Sequence, residues 1–233
     1  MSDRCAIVTG AGRGIGRATS VRLARGGYDI VGVSRTASEL AETRQQVEAA
    51  GATCVTICAD LAEPASATRI VTQAREAFGR IDVLVNNAAV APLTAVETLS
   101  DEALDRCLAV NVRAVVALTR AVWSTMRDGG GGVIVNLSSL ASIDPFPGFA
   151  VYGGSKAFVS VFTQGLAHEG RADNIRVFAV APGTVETSML RSAFPDYPAE
   201  QCLSADQIAA QIEVLLDERN QFATGSTIQV KKE

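Results

Sequence analysis

The chain has 233 residues, 48% hydrophobic and 20% charged, and its 21 basic against 25 acidic side chains leave a formal net charge of −4. That length fits one domain with a continuous core, and the charge excludes the basic footprint of a nucleic-acid binder. No uninterrupted apolar run reaches the ~18 residues of a membrane span, and a single histidine, His168, excludes a histidine-rich metal site.

From Met1 to Thr9 the apolar run is too short for a signal peptide, and Cys5–Thr9 reads as a first strand. It leads into Thr9-Gly10-Ala11-Gly12-Arg13-Gly14-Ile15-Gly16. Glycine is needed where a strand turns sharply, where backbone N–H groups approach a pyrophosphate, and where the next helix packs closely. The helix predicted around Ile15–Arg25 would offer its N-terminal N–H groups to that pyrophosphate. A plain tight turn is the competing reading of this G-x-x-x-G-x-G spacing. The second strand, Asp29–Ser34, ends without the carboxylate that accepts from the ribose 2′-OH of NAD. Arg35 follows Ser34, and with Arg13 it offers guanidinium groups suited to a 2′-phosphate. With no competing acid, NADP(H) is the favoured cofactor.

Further strands are predicted over Thr53–Cys58, Val83–Asn86, Val133–Leu137, Arg176–Val180 and Thr227–Val230. Helices are predicted around Ser38–Ala50, Glu63–Phe78, Asp101–Met126, Val151–Glu169 and Ala205–Leu216. In the first of these, Leu40 and Val47 make the apolar face, and Glu39, Glu42, Arg44 and Gln45 the wet one. Strands rich in Val and Ile without polar alternation are covered on both faces. The βαβα order therefore gives one doubly wound α/β domain over 1–233: seven parallel strands with helices on both faces. Residues 186–203, with Pro195 and Pro198, fit neither period and read as a flap. Ala109–Trp123 has few charges to spare for solvent, which suggests a homodimer or homotetramer through the Asp101–Met126 and Val151–Glu169 helices. The five cysteines are scattered and odd in number, which fits reduced thiols in the cytoplasm.

Tyr152-Gly153-Gly154-Ser155-Lys156 opens a helix and puts Tyr152 and Lys156 on one face, one turn apart. A free phenol has a pKa of about 10, and a nearby ammonium favours the phenolate. Ser139 lies just past the strand ending at Leu137, where its hydroxyl could donate to a carbonyl oxygen as negative charge develops. Phe146, Phe149, Phe194 and Tyr197 sit on the segments best placed to roof such a site, as loop packing or as substrate contacts. His168 reads as a helix-end residue, Trp123 as core or interface, and Cys107 and Cys202 as inert thiols.

Together these motifs resemble the short-chain dehydrogenase/reductase family over nearly the whole chain. The matching pieces are Thr9-Gly10-x-x-x-Gly14-x-Gly16, Asp60, Asn86-Asn87-Ala88, Asn111, Ser139, Tyr152-x-x-x-Lys156 and Pro182-Gly183. The resemblance implies a Rossmann fold, Tyr152 as proton donor or acceptor and Ser139 as carbonyl holder. It implies that Lys156 lowers the Tyr152 pKa and binds nicotinamide ribose, and that Asn111 supports a water leading protons to Lys156. Gly10, Gly12, Arg13, Gly14, Ile15, Gly16, Ser34 and Arg35 would hold the phosphates and ribose; Asp60 and Leu61 would flank the adenine, Asn87 and Ala88 the adenosine side. Pro182, Gly183, Val185 and Thr187 would border the nicotinamide.

Three features depart from the family pattern: Ala89 stands where Gly is frequent, Gly153-Gly154 replaces a side-chain-bearing pair and would admit a bulkier substrate, and Val230-Lys231-Lys232-Glu233 lacks an Asp-Gly-Gly tail. The implied activity is an NADPH-dependent reduction of a small carbonyl compound, of 3-oxoacyl or cyclic ketone class, with no metal. An NAD-dependent secondary-alcohol dehydrogenase and a catalytically idle dinucleotide-sensing scaffold are the alternatives.

Overall fold

A computed structural model describes residues 3–232; Met1, Ser2 and Glu233, parts of the predicted chain start and short tail, lie outside them. The strands are β1 (Cys5–Thr9), β2 (Asp29–Ser34), β3 (Cys54–Cys58), β4 (Val83–Asn86), β5 (Gly132–Leu137), β6 (Ile175–Pro182) and β7 (Thr227–Val230). The helices are α1 (Gly14–Arg25), α2 (Ala37–Ala49), α3 (Ser66–Phe78), α4 (Asp101–Leu108), α5 (Ala114–Asp128), α6 (Ala150–Glu169), α7 (Ser188–Ala193) and α8 (Ala205–Leu216). One parallel sheet runs β3-β2-β1-β4-β5-β6-β7. Every residue of β1 and β4 is buried, which is why these strands read as unbroken apolar runs.

On one face Leu23, Leu40, Val47, Ile208, Ile212 and Leu215 of α1, α2 and α8 pack on Val8, Ile30, Val85 and Phe178. On the other, Ile70, Val71, Leu118, Val122, Met126 and Leu166 of α3, α5 and α6 pack on Ile7, Val31, Leu84, Ile134 and Val177. A buried polar chain crosses this second face. Asn86 Nδ2 donates to Asn136 Oδ1 at 2.9 Å, and Asn136 Nδ2 donates to Thr163 Oγ1 at 2.9 Å. These bonds join β4, β5 and α6, and so fix α6 against the sheet; buried polar groups of this kind are costly unless paired.

Most boundaries fall within two residues of expectation, and two helices depart further. The helix predicted from Glu63 starts at Ser66, because Glu63 and Ser66 instead close turns onto Asp60 and Glu63. The single helix predicted over Asp101–Met126 is α4, a π-helical turn over Ala109–Arg113, and α5. Its apolar character has a local cause: Val110, Ala114, Val115, Leu118, Val122 and Met126 are buried within the chain itself. By length and composition alone Asp101–Asp128 is apolar enough to cross a membrane, although the sequence reading found no span; 44% of its most apolar window is buried inside the protein. Charged residues such as Asp105, Arg106 and Arg120 interrupt it.

Candidate active site

At the carboxyl ends of the strands, where β1 lies between β2 and β4 and the strand order reverses, a cavity of about 630 Å³ opens. This is the usual ligand crevice of a doubly wound sheet. Its lining includes Ser139, Tyr152 and Lys156, and Gly10, Gly12, Arg13, Gly14, Ile15, Ser34, Arg35, Asp60, Leu61, Asn87, Ala88, Pro182, Gly183, Val185 and Thr187. Two predicted site residues, Gly16 and Asn111, stand behind the wall.

The glycine loop is built from conformational need. Gly10 and Gly14 adopt φ of +66° and +53°, in the left-handed region that side chains disfavour. A Cβ on Gly12 would lie 2.8 Å from Ser34 Oγ, and one on Gly16 would run into the Gly10 carbonyl oxygen. Gly16 thus serves the close packing of α1 on the loop. Thr9, the first residue of the glycine motif, lashes β1 to β4: its hydroxyl accepts from the N–H groups of Asn87 and Ala88 at 3.0 and 3.1 Å. Asn87 Nδ2 returns a bond to the Thr9 carbonyl at 2.8 Å. The N-terminus of α1 has no side-chain cap and no acid in its first turn. Its N–H groups therefore remain for an anion, so the chemistry of the loop fits a dinucleotide's pyrophosphate.

Arg13 and Arg35 are exposed and line the cavity. The expectation of no competing acid fails. Glu39, assigned to the wet face of α2, lines the same cavity with Oε1 at 3.4 Å from Arg13 Nη1. Further along, Asp60 Oδ2 accepts from Arg106 Nη1 at 2.8 Å, and Oδ1 accepts from the Ala62 N–H at 2.9 Å. Burial works against the Asp60 carboxylate, but these bonds prevail and hold its pKa below the usual range. Arg106 is a second lining residue the sequence reading missed.

Lys156 is almost closed to solvent, at 3% exposure, and its Nζ donates to the Leu137 carbonyl at 2.6 Å. Burial pushes its pKa down to about 8. The Tyr152 ring keeps part of its surface open to the cavity, yet burial raises its pKa, against a lowering hydrogen bond from Ser139. Lys156 Nζ lies 5.8 Å from the Tyr152 ring centroid, and the depressed phenol that the resemblance implied is not found. The dry pocket penalises both charged forms, and the ammonium is turned to Leu137.

Asn111 sits on the π-helical turn with its amide fully engaged. Oδ1 accepts from the Val90 N–H at 2.9 Å, while Nδ2 donates to the Val90 carbonyl at 2.8 Å and to Ser155 Oγ at 3.0 Å. Its side chain thereby pins the Val90 backbone, which lines the cavity, to the helix that carries Tyr152 and Lys156. Buried Cys107 adjoins it.

Beyond Tyr152 the lining turns apolar. Phe149 meets Tyr152 edge-on at 5.3 Å between centroids, Phe146 edge-on at 5.1 Å, and Phe194 nearly parallel at 6.1 Å. Ile143, Phe146 and Met189 line the cavity yet stay 64%, 54% and 41% exposed. Residues 186–203 carry α7 and are tied down: Leu203 N–H donates to the Thr184 carbonyl at 2.9 Å, and Arg191 donates to the Tyr197 carbonyl at 2.6 Å. Tyr197 turns its hydroxyl to Thr184 at 3.3 Å and contributes nothing to the lining. His168 is exposed on α6, and Trp123 Nε1 donates to Asp173 Oδ2 at 2.7 Å.

Gly153 and Gly154 differ sharply. A Cβ on Gly153 would strike the Ala141 carbonyl and come within 2.9 Å of Pro145 Cβ, whereas Gly154 is exposed with nothing within 4 Å. The expected room for a bulkier substrate is therefore absent at Gly153, whose space is filled by the loop carrying Ser139. Gly154→Ala should raise stability by about 0.5–1 kcal/mol, while Gly153→Ala should displace that loop and lower kcat at least about tenfold, a loss of ~1.4 kcal/mol. Thermal melts and steady-state rates of the two variants check this; equal behaviour would contradict it.

Residues 4–198 match the short chain dehydrogenase family model. The L-xylulose reductase of Mesocricetus auratus is 36% identical over 241 residues, covering 99% of this chain and 96% of that protein. A short chain dehydrogenase from Burkholderia cenocepacia, solved in complex with NADP, superposes with a TM-score of 0.91 at 32% identity, covering 99% of this chain and 97% of that one. Another from Mycobacterium paratuberculosis, bound to NAD, gives 0.90 at 27% identity over 99% and 97%.

Proposed function

The chain belongs to the short-chain dehydrogenase family, and from that premise we propose that it is an NADPH-dependent reductase of ketones of the 3-oxoacyl or cyclic class. The observation that carries this reading is the meeting of the Ser139 and Tyr152 hydroxyls beside buried Lys156 in one cavity with the glycine loop. The loop and the α1 N-terminus would hold the pyrophosphate, Arg13, Ser34 and Arg35 a 2′-phosphate, Asp60 and Leu61 the adenine. Asn87 and Ala88 would border the adenosine, and Pro182, Gly183, Val185 and Thr187 the nicotinamide. Bound there, NADPH supplies a hydride.

Ser139 donates a hydrogen bond to the carbonyl oxygen as charge grows on it, and Tyr152 transfers its proton to that oxygen. A raised phenol pKa keeps Tyr152 protonated at neutral pH, which suits a proton donor in the reductive direction. Lys156, whose Nζ donates to the Leu137 carbonyl, has N–H bonds left to direct at a ribose hydroxyl. A water relay to Lys156 would use main-chain carbonyls near Asn111, whose side chain is already occupied. The exposed apolar rim at Ile143, Phe146 and Met189 favours a substrate with an apolar body.

Glu39 favours a second reading, an NAD-dependent secondary-alcohol dehydrogenase, since a carboxylate near the ribose accepts from a 2′-OH. Following the oxidation of NADPH and NADH against a panel of 3-oxoacyl thioesters, cyclic ketones and sugars tests both. The proposal expects turnover with NADPH on the first two classes; turnover confined to NADH would overturn the cofactor assignment, and none with any ketone the reductase reading. We further propose a single domain with residues 186–203 as the substrate flap, a cytoplasmic setting in keeping with five free cysteines, and a homodimer or homotetramer. The outer face of α6 supports that assembly, with Phe158 and Val161 at 41% and 66% exposure.

A further inference from the structure

We propose that Glu39 sets the strength of discrimination between NADPH and NADH, as an internal stand-in for the 2′-phosphate that occupies Arg13 until the cofactor arrives. The inference rests on the cofactor reading above. It begins from placement: Glu39 Oε1 is 3.4 Å from Arg13 Nη1, while a Cβ on Gly12 would meet Glu39 Oε2 at 2.9 Å and Ser34 Oγ at 2.8 Å. Carboxylate and hydroxyl thus share one spot beside the glycine loop, at the end of β2 where a ribose 2′ substituent is expected.

The carboxylate is held there by its backbone. Arg17 donates to the Gly12 carbonyl and, at 3.2 Å, to the Glu39 carbonyl. Thr43 Oγ1 donates to the Ala11 carbonyl at 2.8 Å and receives Arg17 Nε at 3.1 Å. The first turn of α2 is therefore clamped to the loop, and the Glu39 backbone cannot move away without breaking the clamp. The Arg13 side chain is the more exposed partner, at 60% against 27% for Glu39.

The consequence is selective. Two guanidinium groups and one carboxylate face the cradle, so an entering 2′-phosphate must take Arg13 from Glu39 and sit near a like charge. A 2′-OH carries no charge and takes nothing from Arg13, and a bond that it gives to the Glu39 carboxylate is one that a glutamine's amide oxygen also accepts. Removing the carboxylate's charge should help NADPH alone, by an amount set by a half-exposed ion pair.

The test is direct binding, read by cofactor fluorescence, of NADPH and NADH to wild type, Glu39→Gln, Arg13→Ala and the double variant. Glu39→Gln is expected to tighten NADPH about three- to tenfold and change NADH less than about twofold, with the gain shrinking in the Arg13→Ala background. Looser NADPH binding in Glu39→Gln would overturn the proposal and make Glu39 an anchor for Arg13; equal shifts for both cofactors would also overturn it and assign Glu39 to the fold. A wild type with no preference for NADPH, in which Glu39→Gln nonetheless tightens NADPH alone, would support Glu39 while defeating the cofactor reading. A wild type that prefers NADPH, with Glu39→Gln unchanged, would do the reverse.

Discussion

Tyr152→Phe is expected to lower kcat by about 10²–10⁴-fold, the range a positioned general acid contributes, while NADPH affinity stays within about twofold. The ring is retained, so its edge-on contact with Phe149 at 5.3 Å survives. Only the hydroxyl is lost, and with it the transferable proton and the Ser139 bond. A residual rate above about a tenth of wild type, a loss under ~1.4 kcal/mol, would remove Tyr152 from the role of acid. Cofactor titration and single-turnover rates on the same preparation separate binding from chemistry.

Lys156→Met is expected to damage function and spare the fold. Both kcat and NADPH affinity should fall at least about tenfold, a loss of ~1.4 kcal/mol in each, since Lys156 is proposed to serve ribose as well as the proton path. Stability moves the other way. The pKa falls from 10.5 to about 8 on folding, and 10.5 − 8 is 2.5, so holding the proton in the folded state costs on the order of 3 kcal/mol at neutral pH. Leaving the Leu137 carbonyl without its donor takes back about 1–3 kcal/mol. Methionine should thus leave the cofactor-free protein as stable or stabler at pH 7, by up to about 1–2 kcal/mol, or a few degrees in Tm.

The sign of the pH dependence is fixed. A lysine whose folded pKa is depressed destabilises fully below about 8, and that cost fades as pH rises from about 8 to 10.5, where the folded chain has shed a proton the unfolded chain still binds. The Tm advantage of Lys156→Met should therefore shrink, then reverse, across that window. A variant less stable at pH 7 by a pH-independent margin would instead make Lys156 a structural hydrogen-bond donor.

The strands were readable because buried parallel strands leave unbroken apolar runs, and Tyr152, Lys156 and Ser139 because their spacing and their place after a strand are local facts. What escaped was set by contacts between distant segments. Glu39 lies five residues past Ser34, and contacts from α1, the Arg17–Thr43 clamp among them, hold the first turn of α2 against the glycine loop. The partner that fills Gly153's space, the Ala141 carbonyl, is on another element. The π-helical turn carries Asn111, whose amide grips the Val90 backbone, and helical periodicity alone passes straight through it. The Lys156 shift follows from burial, which a sequence pattern does not measure.

Hydride delivery to a ketone carbon, with the proton drawn through Tyr152, can be followed by isotope transfer. Wild type and Tyr152→Phe would be incubated with NADPH deuterated at nicotinamide C4, once on each face, and a cyclic ketone or 3-oxoacyl thioester substrate. Deuterium is expected on the carbinol carbon of the product from one of the two labelled faces, formed at full rate only by wild type. NADPH that binds tightly yet passes no label to any ketone, or a Tyr152→Phe variant that passes it as fast as wild type, would contradict it.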